Sequence, residues 1–237
     1  MAAAENSTGE LAQKKSDAWT DLALTLPIFV AYHLGVAFLP VRNAADPVTA
    51  ELRGLANHSM PLYAGLTLGV GVAFVVVLAL LGKRETIQKK KFLFIAIEGA
   101  LYAFLMRFAG AYVVGSLRLG PPGGGGVFTS VIMALGAGFY EEIAFRVGVF
   151  GVGAFVIKRL FGKGLRTIVL TAIWALVGAA AFSGWHYVGP LSDPWSLQTF
   201  VFRAVCGLSL TAIYHFRGFA PAVWTHALYD VWAMVLH

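Results

Sequence analysis

Charge is scarce in this chain: of 237 residues only 13% are Asp, Glu, Lys or Arg, where a soluble domain carries roughly 25%. With 58% hydrophobic residues and a mean hydropathy of +0.74, that shortage excludes an ordinary soluble globular domain. Cysteine is scarcer still. Cys206 is the only one, which excludes a disulfide framework, a Cys-x-x-Cys zinc site and a redox pair; its place inside an apolar segment gives it a packing role. Basic residues outnumber acidic ones by 18 to 12, but they sit in short runs between apolar segments. Membrane topology explains them better than nucleic acid, and no nucleic-acid partner is expected.

What the chain has in abundance is uninterrupted apolar sequence, with 18 phenylalanines and 27 glycines. Apolar runs fall at roughly 22–41, 61–82, 92–116, 127–157, 167–189, 197–214 and 219–236, each near or above the roughly 18 residues that cross the hydrocarbon. Lipid offers backbone groups no hydrogen bonds, so these runs must be helical. The expected fold is an all-α, polytopic transmembrane bundle of about seven spans, a multi-pass integral membrane protein. The fourth run is long enough to tilt, kink or protrude. Residues 1–20 form a polar tail that stays on the protein, because the apolar stretch after them is too long for a signal peptide. Residues 21–237 read as a single intramembrane domain.

With the N-terminus cytoplasmic, Lys14, Lys15, Lys83, Arg84, Lys89, Lys90, Lys91, Lys158, Arg159, Lys163, Arg166 and Arg217 fall inside, and only Arg42, Arg53 and Arg118 fall outside. This bias favours N-terminus in and C-terminus out. The loop RLGPPGGGGVFTS lacks the Gly-Lys-Ser/Thr ending of a phosphate-binding loop and follows no strand, so it reads as a connector.

Seven charges lie inside these runs: Glu98, Arg107, Glu141, Glu142, Arg146, Arg203 and Asp230. A charge at the bilayer centre costs at least about 2.5–3.5 kcal/mol, so it pairs, faces a water-filled cavity or carries function. Glu98 and Arg107 read as structural. Arg203, near the outer end of the sixth run, either snorkels or faces the cavity. The segment GFYEEIAFRVG places three charges within six residues in mid-span. Glu142 and Arg146, four apart, share a helix face with the acid N-terminal, the favourable order for an ion pair. Glu141 is turned about 100° from its neighbour, which leaves a buried carboxylate free to face a cavity as a general base or a metal ligand.

Two histidine sites complete the inventory. His186 closes the fifth run in AFSGWHYVG, and His226 and Asp230 stand four apart in WTHALYDVW. His33, His58, His215 and His237 have no acidic partner at helical spacing and receive no chemistry. Trp174, Trp185, Tyr187, Trp195, Trp224 and Trp232 read mainly as interfacial anchors, with Trp185 or Trp224 as candidates to line a substrate path.

In order and type, these sites resemble the motifs of the CPBP family of intramembrane proteases, also called the ABI or type 2 CAAX prenyl endopeptidase family. Its Glu-Glu-x-x-x-Arg motif stands as Glu141 to Arg146, its Phe-x-x-x-His as Phe182 to His186, and its His-x-x-x-Asn/Asp as His226 to Asp230. The resemblance covers residues 127–236. It implies hydrolysis of a peptide bond near the C-terminus of a membrane-anchored or lipidated protein. Glu141 would activate water, His186 would hold or polarise it, and His226 with Asp230 would stabilise the oxyanion or orient the carbonyl. Glu142 and Arg146 would be the supporting pair, with Glu142 alternatively bonding His226. The family has been discussed both as glutamate-dependent and as metal-dependent, and zinc held by Glu141, His186 and His226 is the corresponding cofactor. Asp230 would act protonated, as a metal ligand, or by orienting His226, the role preferred here.

The chain ends seven residues after Asp230, so a homodimer or a partner helix is expected to cover the site. The expected location is a bacterial or archaeal inner membrane. On the orientation above, His186 lies near the outer face, which suits the myxosortase-like branch of the family, whereas a prenylated peptide requires cytoplasmic access. Two rivals stand against this reading. Ser183-Gly184 resembles part of the rhomboid nucleophile motif but lacks its first glycine. A non-proteolytic immunity or maturation scaffold, or a proton-coupled carrier, would also bury carboxylates and histidines.

Overall fold

The structure, a computed structural model, describes residues 18–39, 41–57, 59–81, 89–115, 126–189 and 192–236. Most of the expected tail, Lys14, Lys15, Lys83, Arg84, Arg118, His58, His237 and Gly123 to Gly125 lie outside these residues.

The described residues form helices and no strand: α1 (Ala18–Phe38), α2 (Pro47–Leu55), α3 (Met60–Leu81), α4 (Lys89–Val114), α5 (Val127–Gly136), α6 (Val152–Phe161), α7 (Leu165–Trp185), α8 (Leu197–Arg217) and α9 (Phe219–Val231). Three segments wind more loosely with π geometry: π1 (Ala137–Glu141), π2 (Ile143–Gly151) and π3 (Trp232–Leu236). Over its described residues each expected run is helical apart from its ends. Four helices have the length and hydropathy to cross a membrane, Trp19–Phe38 of α1 together with α4, α7 and α8. The chain is a multi-pass, all-helical membrane protein.

The long fourth run becomes a rod of α5, π1, π2 and α6 in succession. Its π winding, rare in helices and frequent at functional sites, spans the three charges of the first motif.

The inner and outer helices differ in burial. In α1, 61% of its most apolar window is buried, against 22–28% in α4, α7 and α8. The outer helices present Leu93, Phe94, Ile97, Phe155, Ile168 and Ile173 outward, the surface that a lipid solvent accepts. At the centre lies α9, whose residues from Ala220 to Val223 and from Thr225 to Ala227 are all buried. Burial on nearly every side places α9 inside the bundle. Ile28, Phe29, Tyr32 and Val36 of α1 pack there against Ile132, Phe139, Tyr140, Val223 and Ala227.

Two glycines fix where α9 sits. At Gly138 a Cβ would come within 2.6 Å of Ala227 Cβ, so only glycine lets π1 approach this closely. Gly218 has φ +113°, a conformation that suits glycine, and the next amide, Phe219 N–H, donates to Asp21 Oδ2 at 2.6 Å. A carboxylate of α1 thus caps the start of α9.

The ends of α1 and α2 are also satisfied. Asp46 caps α2, accepting from Thr49 N–H at 2.9 Å ahead of Pro47, a strong start signal. Arg53 donates to the Leu39 and Val41 carbonyls at 2.8 and 3.2 Å, where α1 ends. Of the expected interfacial tryptophans, two are instead interhelical donors: Trp174 Nε1 bonds the Val149 carbonyl at 2.9 Å and Trp224 Nε1 the Leu24 carbonyl at 3.0 Å. A half-buried indole N–H needs an acceptor, and a neighbouring helix supplies it.

Candidate active site

The three motifs converge from three parts of the chain. Glu141 ends π1, Glu142 and Arg146 continue into π2, His186 follows the last turn of α7, and His226 and Asp230 lie on α9. A cavity of about 510 Å³ is lined by Glu141, His186, His226 and Asp230 together with Phe182 and Asn43. Glu142 and Arg146 are buried behind this wall, exposed by 0% and 1%.

The buried pair supports His226. Glu142 Oε1 lies 2.6 Å from His226 Nδ1, and Glu142 Oε2 lies 3.1 Å from Arg146 Nε, in ion-pair contact without hydrogen-bond alignment. The two alternatives for Glu142 are therefore both realised, one by each oxygen. An ionised carboxylate only accepts, so Nδ1 carries the proton and the opposite nitrogen faces the cavity side. His226 Nε2 lies 3.5 Å from Asp230 Oδ2 and 4.0 Å from Glu141 Oε2.

Arg146 is held further by the Gly207 carbonyl at 3.3 Å and by the face of Phe182, 4.3 Å from its guanidinium carbon. Phe182 connects the whole site: its ring meets those of His186 and His226 edge-on, at 5.3 and 5.8 Å between centroids. Its carbonyl lies 3.0 Å from His186 Nδ1. A carbonyl accepts only, so His186 donates from Nδ1, and its neutral Nε2 is an acceptor.

Glu141 is asymmetric. Its Oε1 accepts from Asn43 Nδ2 at 3.0 Å, while its Oε2 is buried with no hydrogen-bond partner. The two carboxylates flank the two nitrogens of one imidazole, Glu142 at Nδ1 and Glu141 at Nε2. Glu141 lines the cavity, and its unpartnered oxygen lies 4.0 Å from His226 Nε2.

Among the described residues no three His, Cys, Asp or Glu side chains group closely enough to hold a metal ion. With Glu142 on His226 Nδ1, Nε2 is the nitrogen of that ring left open to a ligand.

Other charges have partners. Glu98 receives both Nε and NH2 of Arg217, at 2.6 and 3.2 Å, and Arg107 lies 5.0 Å from the centre of the Trp232 ring, so both serve the bundle. Arg203 faces the cavity. It pairs with Asp193 through NH2, and its NH1 is buried without a partner. Trp185 and Cys206 are also in the cavity wall. Ser183 is fully buried and donates to the Phe200 carbonyl at 2.7 Å, away from the cavity lining.

Sequence reasoning missed Asn43 and the residues that hold it, Tyr32 and Asp46. The only local signal was the helix start at Asp46-Pro47. His33, given no chemistry, packs against the first motif, with Nε2 2.8 Å from Tyr140 Oη.

A helical membrane protein with a carboxylate, two histidines and an aspartate around one internal cavity is the class that fold and site define. Residues 123–232 match the family model described as type II CAAX prenyl endopeptidase Rce1-like. Over this segment, which carries all three motifs, the chain is similar to the type II CAAX prenyl endopeptidases. The match supports a CAAX-type intramembrane endopeptidase in general, a hydrolase of the protease kind. No curated protein and no solved structure matches the chain.

Proposed function

We propose that this protein hydrolyses a peptide bond near the C-terminus of a membrane-anchored or lipidated protein, with Glu141 as the general base that activates water. The observation that carries this reading is Glu141 Oε2, a buried acceptor without a partner at the cavity wall, 4.0 Å from His226 Nε2. A water with hydrogen bonds of about 2.8 Å to both atoms would subtend an angle of about 90°, which a water accommodates. Oε2 takes a proton from that water, and the water oxygen bonds to the scissile carbonyl carbon. The carbonyl electrons move onto oxygen. As the C–N bond breaks, the protonated Glu141 returns its proton to the leaving amine.

His186 holds the water through Nε2, since Nδ1 is committed to Phe182. Protonated on both nitrogens between Glu142 and Asp230, His226 donates from Nε2 to the water and then, once the water oxygen has bonded to the carbonyl carbon, to the oxyanion, with Asp230 orienting the ring from the same side. Arg203 supports the C-terminal specificity: a cation in the cavity wall with a buried unpartnered N–H group suits the free carboxylate of a substrate end.

The membrane arrangement follows the helices. Read as spans, α1, α3, α4, the α5-to-α6 rod, α7, α8 and α9 with π3 make seven passes of one domain. Lys89 to Lys91, Lys158, Arg159, Lys163, Arg166 and Arg217 then share the cytoplasmic side of a bacterial or archaeal inner membrane. Arg42, Arg53 and His186 share the other side, which supports substrate entry from the exterior and a myxosortase-like role.

The test is cleavage by purified wild type and Glu141→Ala in nanodiscs, with folding of both confirmed. The probes are a farnesylated peptide ending in a Cys-aliphatic-aliphatic-X sequence and a helix-anchored peptide with a free C-terminus. Cleavage by wild type alone supports the proposal. Equal cleavage by both removes Glu141 as the base, and loss on chelation brings in a metal. No cleavage of either probe shifts weight to a scaffold or carrier.

A further inference from the structure

Asn43 lies outside the segment that matches the family model and belongs to none of the three motifs, yet its side-chain amide donates a hydrogen bond to Glu141 Oε1 at 3.0 Å. Its own position is over-determined. The backbone N–H of Asn43 donates to Tyr32 Oη at 3.0 Å, and that hydroxyl donates to Asp46 Oδ2 at 2.7 Å. Asp46 Oδ1 caps α2, and the Asp46 N–H returns to the Asn43 carbonyl at 3.1 Å. Tyr32 and Asp46 are fully buried, so this chain of bonds is shielded from water and held by two helices.

The side-chain amide is oriented as firmly as the backbone. Asn43 Oδ1 accepts from the Ala45 N–H at 2.8 Å. A backbone N–H can only donate, so that atom is the carbonyl oxygen, and the amide nitrogen must face Glu141 Oε1. The bond divides the Glu141 carboxylate into one held oxygen and one free oxygen, and the free one borders the cavity and His226 Nε2.

We propose that Asn43, braced by Tyr32 and Asp46, is a positioning residue for Glu141: by tying down Oε1 it aims Oε2 at the water. The inference rests on the reading of Glu141 as the base, and assigns to the segment after α1 a part in the reaction. Misplacement of a reacting group by about 1 Å lowers rates about 100-fold, so the expected effect is on kcat.

The informative variant is Asn43→Asp, which keeps an acceptor for the Ala45 N–H and removes the donor to Glu141. With the farnesylated or helix-anchored peptide, whichever wild type cleaves, kcat falls about 100-fold while KM stays within about threefold. A second readout needs no substrate. Asn43→Asp sets two carboxylates against each other and lowers Tm by about 4 °C or more. Adding Glu141→Gln restores most of that loss, because its amide donates to the new carboxylate, a coupling that a double-mutant cycle detects.

An unchanged kcat for Asn43→Asp overturns the inference, as do melting effects that simply add. If Glu141→Ala cleaves as wild type does, or wild type cleaves neither peptide, the base reading fails and the positioning role falls with it. A rescued Tm in that case marks the Asn43–Glu141 contact as structural only.

Discussion

His226 Nδ1 and Glu142 Oε1 are 2.6 Å apart, a contact that joins the last helix to the first motif across 84 residues of sequence and leaves the other imidazole nitrogen toward the cavity. Arg146 stands on the far side of the same carboxylate, so imidazole, carboxylate and guanidinium form one buried chain. Removing one member of such a set leaves a buried charge uncompensated, which costs about 3–5 kcal/mol. Arg146→Met is therefore expected to lower Tm strongly, and Glu142→Gln added to it to recover part of the loss. Thermal unfolding in detergent checks this, and an unchanged Tm for Arg146→Met would count against the buried network.

Glu141→Gln preserves shape and can still meet the Asn43 side chain after an amide rotation, but it cannot take a proton. General-base catalysis contributes about 10²–10⁴-fold, so kcat/KM should fall by that factor with Tm near the wild-type value. Steady-state cleavage in nanodiscs measures it; a loss below tenfold would point to another base.

Asp230 lies 3.5 Å from His226 Nε2, near enough to orient the ring and not aligned as a hydrogen bond. Asp230→Asn keeps an acceptor oxygen and adds a donor, so cleavage should stay within about tenfold of wild type, whereas Asp230→Ala should lose more. An inactive Asp230→Asn would instead demand a carboxylate there, as a metal ligand or a proton carrier.

Arg203 supplies the cavity with a cation whose NH1 is buried and unpartnered. If it receives the substrate carboxylate, wild type should prefer a peptide with a free C-terminus over its C-terminal amide by about tenfold or more in kcat/KM, and Arg203→Gln should erase the preference. Equal cleavage of acid and amide by wild type would exclude the role.

Gly138 faces Ala227, one residue beyond His226, with no room for a Cβ. Gly138→Val must push π1 away from α9, and overpacking of this kind costs about 1–3 kcal/mol. Because the two helices carry Glu141 and His226, activity should fall further than Tm alone accounts for. Parallel melting and cleavage measurements on Gly138→Val and on Gly65→Val, which meets nothing within 4 Å, separate the local effect from a general one.

Much of this was legible in the sequence, for a reason specific to membranes. Backbone groups in lipid must be satisfied within the segment, so an apolar run of sufficient length is already a helix, and the described residues of each expected run are helical through its body. Charges are expensive there, so Glu141, Glu142, Arg146 and Asp230 stood out against an apolar background. Helical spacing then gave the Glu142–Arg146 pair, since partners four residues apart meet without any help from the fold.

What the spacing could not give is any contact between distant segments. The Glu98–Arg217 pair, the Trp174 and Trp224 bonds to carbonyls, and above all the Asn43–Glu141 bond depend on which helices become neighbours. Asn43 sits in a short polar connection with no periodicity to mark it. The π winding of the first motif was likewise hidden, because it is fixed by how π1 and π2 pack against α9 and α7.

The sequence by itself determined that this is a helical membrane protein and which polar side chains its apolar segments must accommodate, because both follow from the cost of exposing polar groups to hydrocarbon. Only the tertiary structure decided that Glu141, His186, His226 and Asp230 share one cavity, and that Asn43 holds one oxygen of Glu141 and leaves the other free. Those relations are set by close approach at Gly138, by the Asp21 cap on α9 and by the Tyr32–Asp46 brace, each of which joins residues far apart in the chain.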